Sequence, residues 1–175
     1  MTITYSDNRK RKMHRNLGEG IVDKIVTGFL CTIPEMKEKL EGGNIMINLG
    51  TLKEITDLRS IWPHEALNFT PWVAENVELL ADAVGLDITV DETESSVGDF
   101  NVDIYASETG TDRKIIIENQ LEDTDHDHLG KLITYASGKD ADVVIWVVKH
   151  AREEHKAAVE WLNDHTDDKI GFFLM

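Results

Sequence analysis

Residues 115–136, with the sequence IIIENQLEDTDHDHLGKLITYA, start as one of the most apolar runs in the chain and turn polar at Glu118. A run such as Ile115-Ile116-Ile117 is typical of a strand that is buried on both faces of its sheet. A carboxylate that enters such a strand loses its hydration and is destabilised unless it gains a partner. We therefore expect a compensating group beside Glu118.

The composition is that of a globular protein with a large acidic excess. The chain has 175 residues, of which 41% are hydrophobic, and a formal net charge of -15. This length suits one domain with its own core. No apolar run reaches the roughly 20 residues of a membrane span, and the N-terminus lacks the apolar region of a secretory signal. With a single cysteine, Cys31, these features predict a cytoplasmic protein that does not bind membranes.

The charge is unevenly distributed along the chain. Residues 1–16 contain five Lys or Arg and one acid, which leaves 13 basic and 32 acidic residues in the remainder. Such a surface repels phosphate backbones at long range, so a nucleic-acid-binding function needs a local basic patch or a bound metal ion. The basic run at the N-terminus is either an arm that serves this purpose or a solvated tail, and the tail is favoured at a chain end.

Turn and capping residues predict an α/β order of elements. Residues 1–57 are expected to form an N-terminal tail with a helical extension over residues 20–40. After it, Thr70-Pro71 predicts the start of a helix and Gly85 predicts its end. Hydrophobic periodicity then predicts three strands, a helix, a strand, a helix and a last strand. The predicted ranges are residues 86–90, 100–106, 114–121, about 126–138, 143–148, 150–163 and 170–175.

Residues 58–175 are expected to form one domain. Its last residues, Phe172-Phe173-Leu174-Met175, are apolar and have no polar ending. Either this strand pairs with a partner strand from elsewhere, or the native chain continues past Met175, and we favour the second interpretation.

The predicted hairpin of residues 100–121 brings a second acid to Glu118. If the turn is centred between Gly110 and Thr111, paired residues have numbers that sum to 221, so Asp103 lies opposite Glu118 with Cβ atoms about 5 Å apart. Gln120 lies on the same face of its strand as Glu118. Two such acids need a shared proton or a cation. The cation is either an ordinary salt-bridge partner or a metal ion, and carboxylate and amide oxygens suit Mg²⁺ or Mn²⁺.

This arrangement resembles the active-site pattern of the PD-(D/E)XK nuclease superfamily, in which an acid, a hairpin and a second short acidic motif follow one another. The segments WPHEALNFTPWVAEN, VGDFNVDIYA, IIIENQLEDTDHDHLGKLITYA and HAREEHKAAVEWLN are also similar to a family of uncharacterised prokaryotic proteins assigned to that superfamily. The resemblance covers about residues 58–174. It implies a restriction-endonuclease-like core with the order αβββαβ, a mixed central sheet and flanking helices.

The resemblance also implies a metal site and a reaction. Asp103 and Glu118 would hold Mg²⁺ or Mn²⁺, and Glu75 on the first helix would support the ion through a water molecule. The reaction would be metal-assisted hydrolysis of phosphodiester bonds in nucleic acid, with DNA as the expected substrate. Members of the superfamily often dimerise to cut both strands, so a homodimer is expected as well.

The chain departs from the superfamily pattern at two positions. Gln120 stands where the pattern has a lysine that helps to position the attacking water, and it carries no charge. Lys131 stands where some members have the glutamine of a Gln-x-x-x-Tyr motif, which ends here at Tyr135. Lys131 either supplies the missing positive charge or is an ordinary surface lysine. A catalytically inactive module that binds nucleic acid or another partner is therefore the alternative, and a purely structural domain with ordinary ion pairs is a third interpretation.

The loop Asp125-His126-Asp127-His128 invites a zinc interpretation. Two histidines two residues apart do not easily share one tetrahedral site without further ligands. A helix cap formed by Asp125 or Asp127 is favoured instead, with a histidine at the mouth of the acidic site. Among the other aromatic residues, His155 is expected on a solvated helix face and Trp161 in the core.

Overall fold

From Leu58 onward the chain forms short helices, a central sheet and two longer helices. The computed structural model describes residue 55 and residues 57–175, so the predictions for residues 1–54 lie outside the described residues. The short helices are a 3₁₀ turn (Leu58–Ser60), a π-helical turn (Glu65–Phe69), α1 (Thr70–Glu75) and α2 (Glu78–Val84). The remaining elements are β1 (Ile88–Val97), β2 (Phe100–Glu108), β3 (Lys114–Asp123), α3 (His126–Lys139), β4 (Val143–His150), α4 (Glu153–His165) and β5 (Gly171–Leu174).

One mixed sheet holds the five described strands in the order β1-β2-β3-β4-β5. The first three strands are antiparallel neighbours, whereas β3, β4 and β5 run parallel to one another. The parallel strands are joined through α3 and α4, because a parallel connection has to return from one end of the sheet to the other. The structure is therefore α/β with a mixed sheet flanked by helices, and it confirms the predicted order of elements from residue 70. In the described residues, no helix is both long and apolar enough to cross a membrane.

The largest departures from the predicted bounds are in β1 and in the helix predicted from Thr70. β1 extends to Val97 because its polar second half pairs with β2. The helix predicted from Thr70 is interrupted at Asn76, whose Nδ2 donates a 2.8 Å hydrogen bond to the carbonyl oxygen of Trp72. The second part ends as predicted at Gly85, which has a left-handed backbone with φ 71.

β3 is buried on both faces, as its composition predicts. Ile115 and Ile117 pack into the layer that contains α1 and α2, whereas Ile116 packs into the layer that contains α3 and α4. Because side chains alternate along a strand, Glu118 enters the same layer as Ile116, in which Tyr135 is also buried. Glu118 is 3% exposed, so its carboxylate has lost most of its contact with water.

Two predictions for α4 are wrong. Trp161 is 58% exposed and stacks on His165, whereas His155 is buried with 3% exposure. The helix turns His155 and Val159, which are four residues apart, toward the sheet. This rotation of the helix leaves Trp161 on the solvent side.

Candidate functional site

The candidate site lies where β2 and β3 separate. Their pairing follows the predicted register, from Ser107 opposite Lys114 to Ile104 opposite Ile117. No further pairs follow in the described ladder. Asp103 and Glu118 are the next residues on the two strands, so they meet at the first position beyond the last pair. At this position, hydrogen bonds to the two carboxylates take the place of backbone hydrogen bonds between the strands.

At Asp103 the regular alternation of side chains along β2 is broken. Val102 packs in the layer with α3 and α4, but Ile104 packs in the opposite layer, although regular alternation would keep both on one face. The Asp103 carboxylate between them extends along the sheet toward β3, where Oδ2 accepts a 2.7 Å hydrogen bond from the backbone N–H of Asn119. A side-chain bond thus replaces a ladder bond between the strands.

Glu118 makes the reciprocal contact. Its Oε1 accepts a 3.1 Å hydrogen bond from the backbone N–H of Asp103. Each carboxylate is therefore anchored to the strand of the other. Within the described residues, the second oxygens, Asp103 Oδ1 and Glu118 Oε2, accept no hydrogen bond. Two carboxylate oxygens in fixed orientation therefore remain for a cation.

Burial raises the pKa of both carboxyl groups. The pKa of Glu118 rises to about 8, first because burial removes hydration and then because Asp103 is close. Burial also raises the pKa of Asp103 to about 6, against the lowering effect of the hydrogen bond from Asn119. Lys131 lowers the pKa of both groups without offsetting their burial. Near neutral pH the pair therefore holds a proton or needs a cation.

Two further acids, which the sequence analysis did not select, lie at the same site. Glu65 Oε2 accepts a 2.6 Å hydrogen bond from the backbone N–H of Leu121. Glu94 lies opposite Asp103, because the neighbouring pairs are Thr93 with Ile104 and Ser95 with Val102. The negative charges of Glu94 and Glu65 both contribute to the raised pKa of Asp103. The site is therefore more acidic than the sequence pattern indicated.

Glu75, which the resemblance assigns to the metal site, lies at the end of α1 and is exposed. Glu65 and Glu94, and not Glu75, are among the charges that raise the pKa of Asp103. Helical spacing provides a signal for Glu65, because it precedes the buried residues Phe69 and Val73 by four and eight residues. Glu75 is two residues past Val73 and therefore points away from that face.

The structure brings two residues of α3 to the acidic pair. Lys131 and Tyr135 are four residues apart on one face of the helix. Tyr135 is 4% exposed, and its pKa is raised by burial and then by the charges of Glu118 and Asp103. Lys131 acts on both carboxyl groups through its charge. Of the residues named from the sequence, Lys131 and Tyr135 thus lie within electrostatic range of Asp103 and Glu118.

Gln120 contacts the loop before α3 with its amide group. Its Nε2 donates to the carbonyl oxygen of Asp123 at 2.8 Å and to Asp125 Oδ2 at 2.7 Å. Its Oε1 accepts a 3.2 Å hydrogen bond from Trp146 Nε1. The amide therefore ties the end of β3 to the start of α3, where Asp125 caps the helix by accepting from the backbone N–H of His128.

Carboxylate oxygens are ligands of the kind that hard divalent ions prefer. Among residue 55 and residues 57–175, no group of three or more His, Cys, Asp or Glu side chains is arranged to hold a metal ion. His126 Nδ1 and His155 Nε2 lie 3.0 Å apart and hydrogen bond to each other. Mg²⁺ is usually bound by one or two carboxylates together with waters and substrate phosphates. The pair of Asp103 and Glu118 is compatible with that pattern, whereas a structural zinc site needs four protein ligands.

Comparisons with protein-family models, with curated proteins and with solved structures found no match. The function is therefore inferred from the residues of the site.

Proposed function

We propose that residues 58–175 form a nuclease domain with the restriction-endonuclease-like fold, which hydrolyses phosphodiester bonds of nucleic acid with the help of Mg²⁺ or Mn²⁺. DNA is the substrate to test first. One observation carries the proposal: Asp103 and Glu118 meet where β2 and β3 separate, and each keeps one oxygen without a hydrogen bond among the described residues. The order of three antiparallel strands, a helix and a parallel strand supports the choice of fold.

Asp103 Oδ1 and Glu118 Oε2 would hold the ion. A bound divalent ion lowers the pKa of a coordinated water and offsets negative charge on the phosphate. The chain itself contributes orientation, because the hydrogen bonds of 2.7 Å and 3.1 Å to backbone N–H groups fix the two carboxylates. Burial of Glu118 contributes as well, because a desolvated anion attracts a cation more strongly than a hydrated one.

Lys131 would supply the positive charge that Gln120 lacks. Its charge lowers the pKa of Asp103 and of Glu118, so the ammonium group lies within electrostatic range of the site. Its side chain is exposed and rests on a regular helix, and it is therefore free to turn toward a phosphate group. Tyr135, one helical turn further along, would line the inner wall of the site.

A second candidate function is a catalytically inactive module that binds nucleic acid or a protein partner with the same fold. Gln120 favours this candidate, because its amide already bonds Asp123, Asp125 and Trp146 and carries no charge to stabilise a phosphate. The two candidates agree on the metal site and differ in turnover.

Cleavage assays distinguish the two candidates. Supercoiled plasmid and labelled single- and double-stranded DNA and RNA would be incubated with the protein in Mg²⁺ or Mn²⁺. We expect cleavage that falls on the order of 100-fold or more in Asp103→Asn, because one anchored carboxylate of the metal site is lost. Asp112→Asn is the matched control, since Asp112 is exposed in the turn at the far end of the same hairpin.

Equal rates of cleavage by the wild type and by Asp103→Asn would contradict the proposed site. Metal binding that depends on Asp103 but gives no cleavage of any substrate would support the inactive module.

A further inference from the structure

Two histidine rings join the starts of α3 and α4. His126 is the first residue of α3, and His155 lies in the first turn of α4. His126 Nδ1 and His155 Nε2 are 3.0 Å apart, and the rings meet edge to face with their centroids 5.0 Å apart. His126 is exposed, whereas His155 is buried, so the contact connects a buried ring to a ring that meets solvent.

The buried ring is also held from its other side. His155 Nδ1 lies 2.8 Å from Thr124 Oγ1, which accepts a 3.0 Å hydrogen bond from the backbone N–H of Arg152. Thr124 is itself buried, and the indole of Trp146 on β4 meets the His155 ring edge to face, with centroids 5.7 Å apart. His155 therefore loses contacts with β4 and with the loop before α3 if it turns away from His126.

The contact between the two rings has room for one hydrogen atom. One ring nitrogen donates and the other accepts, so the accepting ring is neutral. The pair therefore carries at most one positive charge while the hydrogen bond exists. With both rings protonated, two N–H groups would face each other across 3.0 Å and two positive charges would repel. The contact is thus compatible with neutral pH and incompatible with full protonation.

The charges around His155 favour its neutral form. They come from α3, from the loop before it and from the start of α4, and they belong to His126, Asp125, Arg152 and Glu154. Burial lowers the pKa of His155 most, the two basic groups lower it further, and the two acids act in the opposite direction. Asp125 Oδ1 in turn contacts His128 Nδ1 at 2.9 Å. Arg152 Nε lies 4.0 Å from Asp123 Oδ2. His155 is therefore neutral near pH 7 and takes up a proton only in more acidic solution.

From this geometry we propose that the contact between His126 and His155 is a pH-sensitive latch, which holds the start of α3 to α4 at neutral pH and releases it when both rings are protonated. Release frees the first turn of α3, where Asp125 caps the helix and bonds Gln120 Nε2 at 2.7 Å. The folded pKa of His155 lies below the ordinary value of about 6.5. The stability that the latch contributes is therefore present above about pH 6.5 and is lost as the pH falls through the folded pKa.

Amide hydrogen exchange of the full chain at pH 7.5 and pH 5, corrected for the intrinsic exchange rates, tests the latch. In the wild type we expect protection of the first turn of α3 to fall about 10-fold or more at pH 5, because opening takes up a proton. His126→Asn places an amide near the position of Nδ1, which donates to a neutral His155 ring and accepts from a protonated one. Protection in this variant is expected to change little with pH. His165→Asn removes an exposed histidine from the other end of α4 and is expected to keep the wild-type pH dependence.

Titration of the histidine ring resonances by NMR gives a second readout on the same proteins. His155 is expected to titrate below pH 6.5 in the wild type, and at a higher pH in His126→Asn, because one neighbouring positive charge is gone. An ordinary pKa of His155 in the wild type would overturn the latch. Equal loss of α3 protection at pH 5 in the wild type and in folded His126→Asn would overturn it as well.

Discussion

The environment of Glu118 differs strongly from that of a glutamate on a protein surface. It is buried, it accepts a hydrogen bond from the strand of its acidic neighbour, and its pKa is raised to about 8. A glutamate in such a place destabilises the fold when it is charged and binds a cation well for the same reason. The charged form of Glu118 therefore lowers stability, and the proposed cation site would offset this cost.

This environment gives a prediction for the metal-free protein. The folded pKa values of Glu118 and Asp103 lie above the unfolded values near pH 4, so the folded state binds more protons than the unfolded state. The stability that the protonated groups contribute is fully present below about pH 4 and is lost as the pH rises through 6 and 8. We expect the pair to lower the free energy of unfolding between pH 5 and pH 8.5, with each pKa unit worth about 1.4 kcal/mol before coupling between the acids is considered.

Urea denaturation in the presence of a chelator at pH 5, 7 and 8.5 measures this effect. Glu118→Gln keeps the shape of the side chain and removes the titration. It is expected to flatten the pH dependence and to raise the urea midpoint at pH 8.5, whereas Asp112→Asn is expected to change neither. A wild-type pH profile that does not differ from that of Glu118→Gln would show that Glu118 has an ordinary pKa.

At the scale of elements, α3 packs closely against β1 at a glycine. A Cβ atom at Gly138 would overlap the side chain of Val97, whereas a Cβ at Gly130 on the same helix would meet no atom within 4 Å. We expect Gly138→Ala to lower the free energy of unfolding by about 1–3 kcal/mol through overpacking. Gly130→Ala is the matched control and is expected to raise it by about 0.5–1 kcal/mol, because alanine is the better helix former.

Chemical denaturation of Gly138→Ala, of Gly130→Ala and of the double variant Gly138→Ala/Val97→Ala checks this packing. The double variant is expected to recover part of the stability, because the smaller side chain at residue 97 relieves the overlap. Equal stability of Gly138→Ala and Gly130→Ala would contradict the close contact between α3 and β1.

The element order was predictable because strong local signals mark it. The apolar run at Ile115 marks β3, and Gly85 marks the end of α2. Gly110 marks the turn of the hairpin, and the register of that hairpin alone predicts that Asp103 meets Glu118. The second half of β1 was not predictable, because residues 91–96 are all polar and form a strand only by pairing with β2.

The remaining site residues differ in whether local sequence patterns could identify them. Glu65 could be found from helical spacing, because it lies on the face of Phe69 and Val73. Glu94 could not be found in this way, since it lies in a polar run and its own backbone is left-handed within a strand. The partners of Gln120 were also out of reach of sequence patterns, because Trp146 comes from a neighbouring strand and Asp125 from a loop.

At the scale of the whole molecule, charge limits the proposed function. Residue 55 and residues 57–175 contain nine Lys or Arg and 26 Asp or Glu residues. A surface of this kind repels a polyanion, so contact with nucleic acid has to be made at sites where positive charge is concentrated. A divalent ion held by Asp103 and Glu118, together with Lys131, would provide such a site. The proposed function therefore depends on cation binding before it depends on any property of the substrate.

The most direct test is calorimetric titration of the purified chain with Mg²⁺ and Mn²⁺, for the wild type, Glu118→Ala and the hairpin control Asp112→Asn. We expect the wild type and Asp112→Asn to bind one or more ions and Glu118→Ala to bind none, while thermal denaturation shows that all three are folded. Absence of binding by the wild type at millimolar metal with nucleic acid present, or equal binding by folded Glu118→Ala, would contradict the assignment of Asp103 and Glu118 as a cation site.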